Sequence, residues 1–416
     1  MHALQSFAPA QWRLSPPPGV PRRRRRRRRG RARRLSDRLP PPLTLDRWWR
    51  QYAYDAANTA YNPDAEGPSA DPDPVEHWTH RAGTYRQGDQ PLAIPAGTLV
   101  DTGSDGVFLL DGGGDVDWRD DGDYGGLTPA APDSLLLATG YGFRGVSREG
   151  GVSLLGWRTG YEHFRTHAAA PASPPSFDGH FVVAGIGSGH TEGGGRVTAF
   201  DARSGERLWR APVETSVKGA PALDDQRVYA ADLGQNVPTG ENTGERYAYA
   251  FDRETGQELW RTPLTGDPWA SVSDAVVVGD GLVFVAAGPG GVYALDAETG
   301  EVAGTKPIGP VQASPALADG VLYVATMSDG IYALEAASGE TKWQRSFPAV
   351  SAAPIVVGDR LYVLGREGHV AAFERDGTLA WDHDVPGTVR APPLVDHRTV
   401  YVGATSGTLT AIGEPS

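Results

Sequence analysis

The chain contains no cysteine, only three lysines (Lys218, Lys306, Lys342) and two methionines. Without cysteine there is no disulfide, no thiolate nucleophile and no cysteine-ligated zinc. It also lacks a run of about 18 apolar residues, so no transmembrane helix is expected. Glycine (54) and proline (34) are abundant instead, and the apolar residues fall in short runs. That composition suits many short strands joined by tight turns rather than long helices. At 416 residues the chain is long enough for two average domains or one large repeat domain.

Charge divides the chain in two. Residues 1–45 hold 13 arginines and a single acid, Asp37, a net of +12. The whole chain carries −12, which leaves −24 on residues 46–416. An acidic, lysine-poor body of this kind resembles proteins that work in high salt, where screening relieves self-repulsion. It argues against nucleic acid as a partner of the folded part. The first 45 residues, with Pro16 to Pro18, eight arginines from Arg22 to Arg29, and Pro40 to Pro42, read as a disordered Arg/Pro-rich segment. No apolar stretch follows the basic residues, so no signal peptide is recognisable. Runs of Arg, Pro, Gly and Ala are what GC-rich DNA yields from a wrong start or frame. On that reading an export leader has been mistranslated here.

From residue 78 onward the sequence repeats. The fullest copies are Ala199-Phe-Asp201-Ala-Arg-Ser-Gly205-Glu-Arg-Leu-Trp209 and Ala250-Phe-Asp252-Arg-Glu-Thr-Gly256-Gln-Glu-Leu-Trp260. A third runs from Ala294 with Gly304 in the Trp place, and a fourth from Ala333 to Trp343. Asp111 to Trp118 and Glu374 to Trp381 are one residue shorter, and a degenerate copy ends at Phe164. The Trp positions are 78, 118, 164, 209, 260, 304, 343 and 381, spaced by 38 to 51 residues. Such periods with strand-like content mean propeller blades.

Within one period four strands are expected: Ala313–Leu317 innermost, Val321–Ala325, Gly330–Leu334, and Thr341–Trp343 outermost. Asp319-Gly320 and Asp329-Gly330 mark the first two turns. In the third turn the Asp accepts from backbone N–H groups and the Gly takes positive φ. Pro221, Pro315 and Pro354 open innermost strands, where a missing N–H costs little. The chain ends after a third strand, while Val75–Trp78 is a strand with no three before it. The fold class expected is therefore all-β: an eight-bladed β-propeller of four-stranded antiparallel blades over residues 46–416, its ring closed by the N-terminal strand.

These copies, with the opening Tyr54-Asp55-Ala-Ala-Asn58-Thr59-Ala-Tyr61-Asn62-Pro63, resemble the tryptophan-docking repeats of quinoprotein-like (PQQ-repeat) propellers over about residues 48–413. The resemblance implies that Trp78, Trp118, Trp209, Trp260, Trp343 and Trp381 pack between blades and form no cofactor box. It also implies two functional classes. One comprises dehydrogenases that use pyrroloquinoline quinone (PQQ) with calcium. The other comprises non-catalytic propellers such as the assembly lipoprotein of the bacterial outer membrane, with secreted haloarchaeal relatives. The dehydrogenases often place two adjacent cysteines over the quinone and build their pocket from long insertions. This chain has neither, and no calcium ligand set can be placed by motif.

Other motifs fail on context. Gly185-Ile-Gly187-Ser-Gly189 links two strands and opens no helix, so it is no dinucleotide loop. Asp115, Asp117, Asp120, Asp121 and Asp123 lack calcium-loop order, because Arg119 holds the third ligand place. His163 and His167 read as surface residues. No catalytic and no metal-binding residue is assigned.

Strand alternation places the lead-in loop of each blade and its second-to-third-strand loop on one face. The two longest insertions, 185–195 and 232–246, share it, and long loops on a rigid ring are where function concentrates. Lys218, Gln312, Ser351 and Arg390 lie three residues before the strand-opening Pro, and Trp269 lies in another lead-in loop. These five are the candidate lining of the central funnel. The expected function is a non-enzymatic binding or assembly scaffold, extracellular or on the cell surface. It would bind a protein partner or a small anionic ligand and need no cofactor. The alternative is a PQQ-dependent dehydrogenase or PQQ-binding sensor.

Overall fold

The computed structural model describes residues 53–415, except 82–89, 95–96, 102–105, 121–123, 132–133, 140–141, 148–152, 155–156, 159–160, 166–172, 188–194, 233–245, 265–275, 289 and 351. The N-terminal 45 residues, Trp269, Ser351, His167 and most of both long loops lie outside this set, as do Asp121, Asp123 and the side chains of His163 and Phe164.

All regular structure among the described residues is β. Seven consecutive segments each fold into an antiparallel sheet in simple up-and-down order: 92–120, 124–165, 176–212, 222–264, 277–306, 316–345 and 355–384. An eighth sheet combines Leu394–Asp396, Thr399–Ala404 and Thr408–Gly413 with Val75–Arg81. No described helix is long and apolar enough to cross a membrane.

The sixth sheet shows how the sequence specifies one unit. Its strands are Ala316–Ala318, Val321–Ala325, Ile331–Glu335 and Thr341–Arg345. The innermost strand starts later than expected, because Pro315 offers no N–H to a ladder. Gly330 belongs to the turn, at φ +90°, rather than to the third strand. The first hairpin turns through Asp319 and Gly320, both at positive φ (47° and 75°), as a two-residue type I′ connection requires.

The third turn explains the repeat motif. Asp201 Oδ1 accepts from the backbone N–H of Arg203 and Ser204 at 3.1 and 2.7 Å. Asp252 and Asp296 bind the matching residues of their own turns. A bulge follows in each pairing and sets the Trp opposite the motif's Ala: Ala199 faces Trp209, Ala250 faces Trp260, and Ala333 faces Trp343. The small side chain leaves the indole room to reach the next sheet.

There the ring lies on the next turn's glycine. A Cβ on Gly256 (φ +70°) would sit 2.6 Å from the Trp209 ring. The indole N–H donates to a turn carbonyl in each case: Trp209 to Arg253, Trp260 to Ala297 and Trp343 to Arg375, at 2.8 to 3.2 Å. Trp78 follows the same rule across the chain ends. It sits opposite Ala411, after the same bulge, and donates to Gly112 O in the first sheet at 3.0 Å. Trp118 and Trp381 are buried, and their indole N–H groups have no partner among the described residues. For Trp381 the reason is topological: the eighth sheet takes its outer strand from the other end of the chain, so it has no covalent turn to offer.

Two features add strands. Tyr61–Asn62 pairs in parallel with Ile355–Val357, giving the seventh sheet a fifth strand. A hairpin of Ser153–Leu154 and Trp157–Arg158 lies along the outer strand of the first sheet, with Arg158 beside Trp118.

Candidate functional site

The lead-in loops are built on one register. Val217, Val311, Val350 and Val389 are buried, and the next residue in each sheet is Lys218, Gln312, Ser351 or Arg390. A buried valine anchors each loop, and in three of the loops the described neighbour faces the other way. Lys218, Gln312 and Arg390 are exposed, and Ser351 lies outside the described residues.

Backbone hydrogen bonds stitch these loops into a series. The Val311 N–H donates to Gly288 O of the fifth sheet, Val350 to Thr326 O of the sixth, and Val389 to Arg366 O of the seventh, at 2.9 to 3.3 Å. The preceding carbonyls, of Pro310, Ala349 and Thr388, accept from Met327, Arg366 and Thr405 at 2.8 to 3.0 Å. Each lead-in loop therefore bridges its own sheet and the one before it. A surface tied in this way is held rigid before anything binds.

The third and fourth sheets meet more closely. A Cβ on Gly185 would lie 2.4 Å from Val217 O, and one on Gly195 would lie 2.0 Å from Thr215 O. Gly185, the first glycine of the apparent dinucleotide motif, and Gly195 thus permit backbone contact beneath the lead-in loop that carries Lys218. Asp232 anchors the same loop. It is fully buried and accepts from Thr215 N, Tyr247 N and the Tyr249 hydroxyl at 3.3, 2.9 and 2.8 Å. Burial pushes the Tyr249 phenol well above its ordinary pKa. A lone Asp after a strand looks like any loop acid, so sequence reasoning missed this residue.

The segment 53–62 was also missed as a structural element. It lies across the innermost strands of four consecutive sheets. The carbonyls of Ala56, Ala57, Thr59 and Ala60 accept from Leu223, Val278, Leu317 and Val356 at 2.6 to 3.0 Å. Asn58, fully buried, donates its side-chain amide to the carbonyls of Ala220, Pro221 and Val276 at 2.9 to 3.0 Å. Tyr61 is held from outside by Asp319, which accepts from its hydroxyl at 3.0 Å, and by the Arg375 guanidinium 5.0 Å above its ring.

Lys218 and Arg390 form no ion pair with a described residue. Two cations so placed suit carboxylates or phosphates. A quinone cofactor with calcium needs more: a stacking ring and an oxygen donor set for the ion. Trp269 lies outside the described residues, and no three His, Asp or Glu side chains among the described residues come together as a metal site. Asp120 of the acidic stretch, and Asp111 just before it, have structural uses. Asp111 Oδ1 accepts from Gly113 and Asp115 N–H, and Asp120 pairs with Arg144 at 2.9 Å.

Comparison with known proteins agrees with this architecture. The chain is 33% identical over 107 residues to outer membrane protein assembly factor BamB of Bordetella pertussis, covering 26% of this chain and 24% of that protein. It is 25% identical over 150 residues to polyvinylalcohol dehydrogenase of a Sphingopyxis species, covering 31% of this chain and 22% of that one. The chain thus matches less than a quarter of either relative's length. Among solved structures, BamB of Moraxella catarrhalis superposes with TM-score 0.62 at 17% identity, over 82% of this chain and 100% of that one. Quinohemoprotein alcohol dehydrogenase of Comamonas testosteroni gives 0.71 at 14%, over 90% and 82%. At these identities the likeness shows the β-propeller fold alone. The family model described as outer membrane protein assembly factor BamB matches residues 144–246, 244–346 and 302–414. Those matches run over more than half of the chain, which therefore belongs to this family of PQQ-repeat propellers.

Proposed function

We propose that this chain is a single closed ring of eight blades over residues 46–416 that serves outside the cytoplasm, at the cell surface, as a non-enzymatic binding or assembly scaffold. Its working surface is the face bearing the lead-in loops and the 185–195 and 232–246 insertions. The observation that carries the reading is the pair of exposed cations, Lys218 and Arg390. They stand at one register on a stitched rim, without an ion-pair partner among the described residues, in a body of charge −24. Gln312 shares the register, and Ser351 and Trp269 complete the proposed lining. The ligand is an acidic segment of a protein partner or a small anion, and no cofactor takes part. Nucleic acid does not suit the acidic body.

The alternative, a PQQ-dependent dehydrogenase or PQQ-binding sensor, is favoured by one observation: the Comamonas enzyme superposes over 90% of the chain. Against it stand the absence of cysteine and the lack of a metal-donor cluster among the described residues.

Photocrosslinking from position 312 in native membranes tests the scaffold reading. A discrete partner should be captured by the wild type. The Lys218→Glu/Arg390→Glu variant should lose it while keeping its melting temperature. Equal capture by both proteins would refute the assignment.

A further inference from the structure

The loop-bearing face holds another exposed cation, which the lead-in register does not mark. Arg366 lies in the turn between the second and third strands of the seventh sheet, Arg360–Leu364 and His369–Glu374. Its backbone is held from both sides. The Arg366 N–H donates to Ala349 O in the lead-in loop of its own sheet at 2.8 Å, and its carbonyl accepts from Val389 N in the lead-in loop of the eighth at 2.9 Å. Val389 is buried, and the next residue, Arg390, is exposed. One backbone hydrogen bond thus sets two arginines on adjoining loops.

Neither guanidinium forms an ion pair with a described residue. Hydroxyl groups lie alongside. Thr388, in the same lead-in loop as Arg390, accepts at its carbonyl from Thr405 N–H at 2.8 Å. Both threonines are half-buried, and Ser406 beyond them is exposed. The acid in the same turn as Arg366 is Glu367, also exposed.

We propose that Arg366 and Arg390 form a two-guanidinium site for a phosphoryl group, carried by inorganic phosphate or by a small phosphate monoester. This deepens the reading of the loop-bearing face as a binding surface and rests on it. One guanidinium fork satisfies the two oxygens of a carboxylate. Two forks call for more acceptors, and a phosphoryl group offers three oxygens and close to two negative charges. The loops are already fixed by their backbone hydrogen bonds, so binding has only side chains to order. Glu367 opposes the anion and sets part of the selectivity: a single negative charge gains less from the arginines against that repulsion than a double one does.

The test uses the full chain, with phosphorus NMR of inorganic phosphate and of glycerol phosphate at fixed ionic strength. At least one of the two lines should shift saturably as protein is added, and the compound that binds more tightly identifies the source of the phosphoryl group. Arg366→Gln and Arg390→Gln should each weaken binding about tenfold or more. Glu367→Gln should tighten it about two- to threefold. Arg207→Gln, the same change of charge on the outer strand of the third sheet, should leave it unchanged. All four variants should keep the wild-type melting temperature. No saturable binding by the wild type, or a loss in Arg207→Gln equal to those in Arg366→Gln and Arg390→Gln, overturns the proposal. So does a hexaglutamate peptide that binds the arginine pair more tightly than either phosphate, because the site would then read carboxylates. Partner capture from position 312 is a separate readout. It can persist when the phosphoryl site fails, and its own failure would count against the scaffold reading.

Discussion

Asn58 allows the role of the 53–62 segment to be worked out in energy. The two N–H groups of its amide are shared among three carbonyls, of Ala220, Pro221 and Val276, at a site with no solvent exposure. In Asn58→Ala two of those carbonyls keep another donor, since Ala220 O accepts from Val276 N and Pro221 O from the Ser176 hydroxyl. Val276 O is left without its amide partner. Lost bonds at about 1 kcal/mol each, with one buried acceptor uncovered, amount to about 3 kcal/mol. The residue also sits at φ +57°, where Asn is tolerated and Ala is strained by about 1 kcal/mol. The expected loss is about 3–4 kcal/mol, and Asn58→Gly, free of the strain, should lose about 1 kcal/mol less. Guanidinium titration followed by tryptophan fluorescence measures both. Hydrogen exchange should rise first at Leu223, Val278, Leu317 and Val356, whose N–H groups the segment's carbonyls accept. A loss below about 1 kcal/mol for Asn58→Ala, or unchanged exchange at those four amides, would refute the reasoning.

Three further outcomes follow from the packing. Gly256→Ala should destabilise far more than Gly281→Ala: both sit near φ +70 to +77°, but only Gly256 has an indole 2.6 Å from the new Cβ, while Gly281 has nothing within 4 Å. Paired denaturation curves would show it. Thr79 and Thr410 lie directly opposite each other, hydroxyls 3.4 Å apart, in a chain with no native cysteine. The Thr79→Cys/Thr410→Cys variant should oxidise to a single internal disulfide, seen as a faster-migrating non-reduced band, if the two chain ends close the ring. Tyr229, Tyr249 and Tyr362 have phenols raised by burial above the ordinary value of 10.0. The folded state therefore holds protons that the unfolded state releases above pH 10, so stability is full below pH 10 and falls as pH rises past it. Phenolate absorbance should appear together with unfolding rather than before it.

The repeat was legible because its chemistry is local. Asp252 caps its own turn, Gly256 needs positive φ, and Ala250 makes room for Trp260, all within eleven residues. The strand pairing of Trp78 was legible because a strand without three predecessors and a sheet without a fourth strand leave one economical pairing. What could not be read depends on contacts between residues far apart in sequence. Asn58 reaches Val276, and Asp232 meets Thr215 through a lead-in loop. Gly185 is needed only because Val217 O passes against it. The hairpin at 153–158 lies in a degenerate copy where no motif marks it. Lys218, Gln312 and Arg390 share one register in the sequence, and the structure adds that each is an exposed residue following a buried valine.

The central claim is that this propeller binds without catalysing. Pyrroloquinoline quinone and calcium added to the purified chain in high salt, with an artificial electron-acceptor dye and a panel of alcohols and aldoses, test it most directly. The account predicts no dye reduction above the protein-free rate, even if the two rim cations retain the quinone through its carboxylates. Sustained substrate-dependent reduction, dependent on both quinone and calcium, would contradict it.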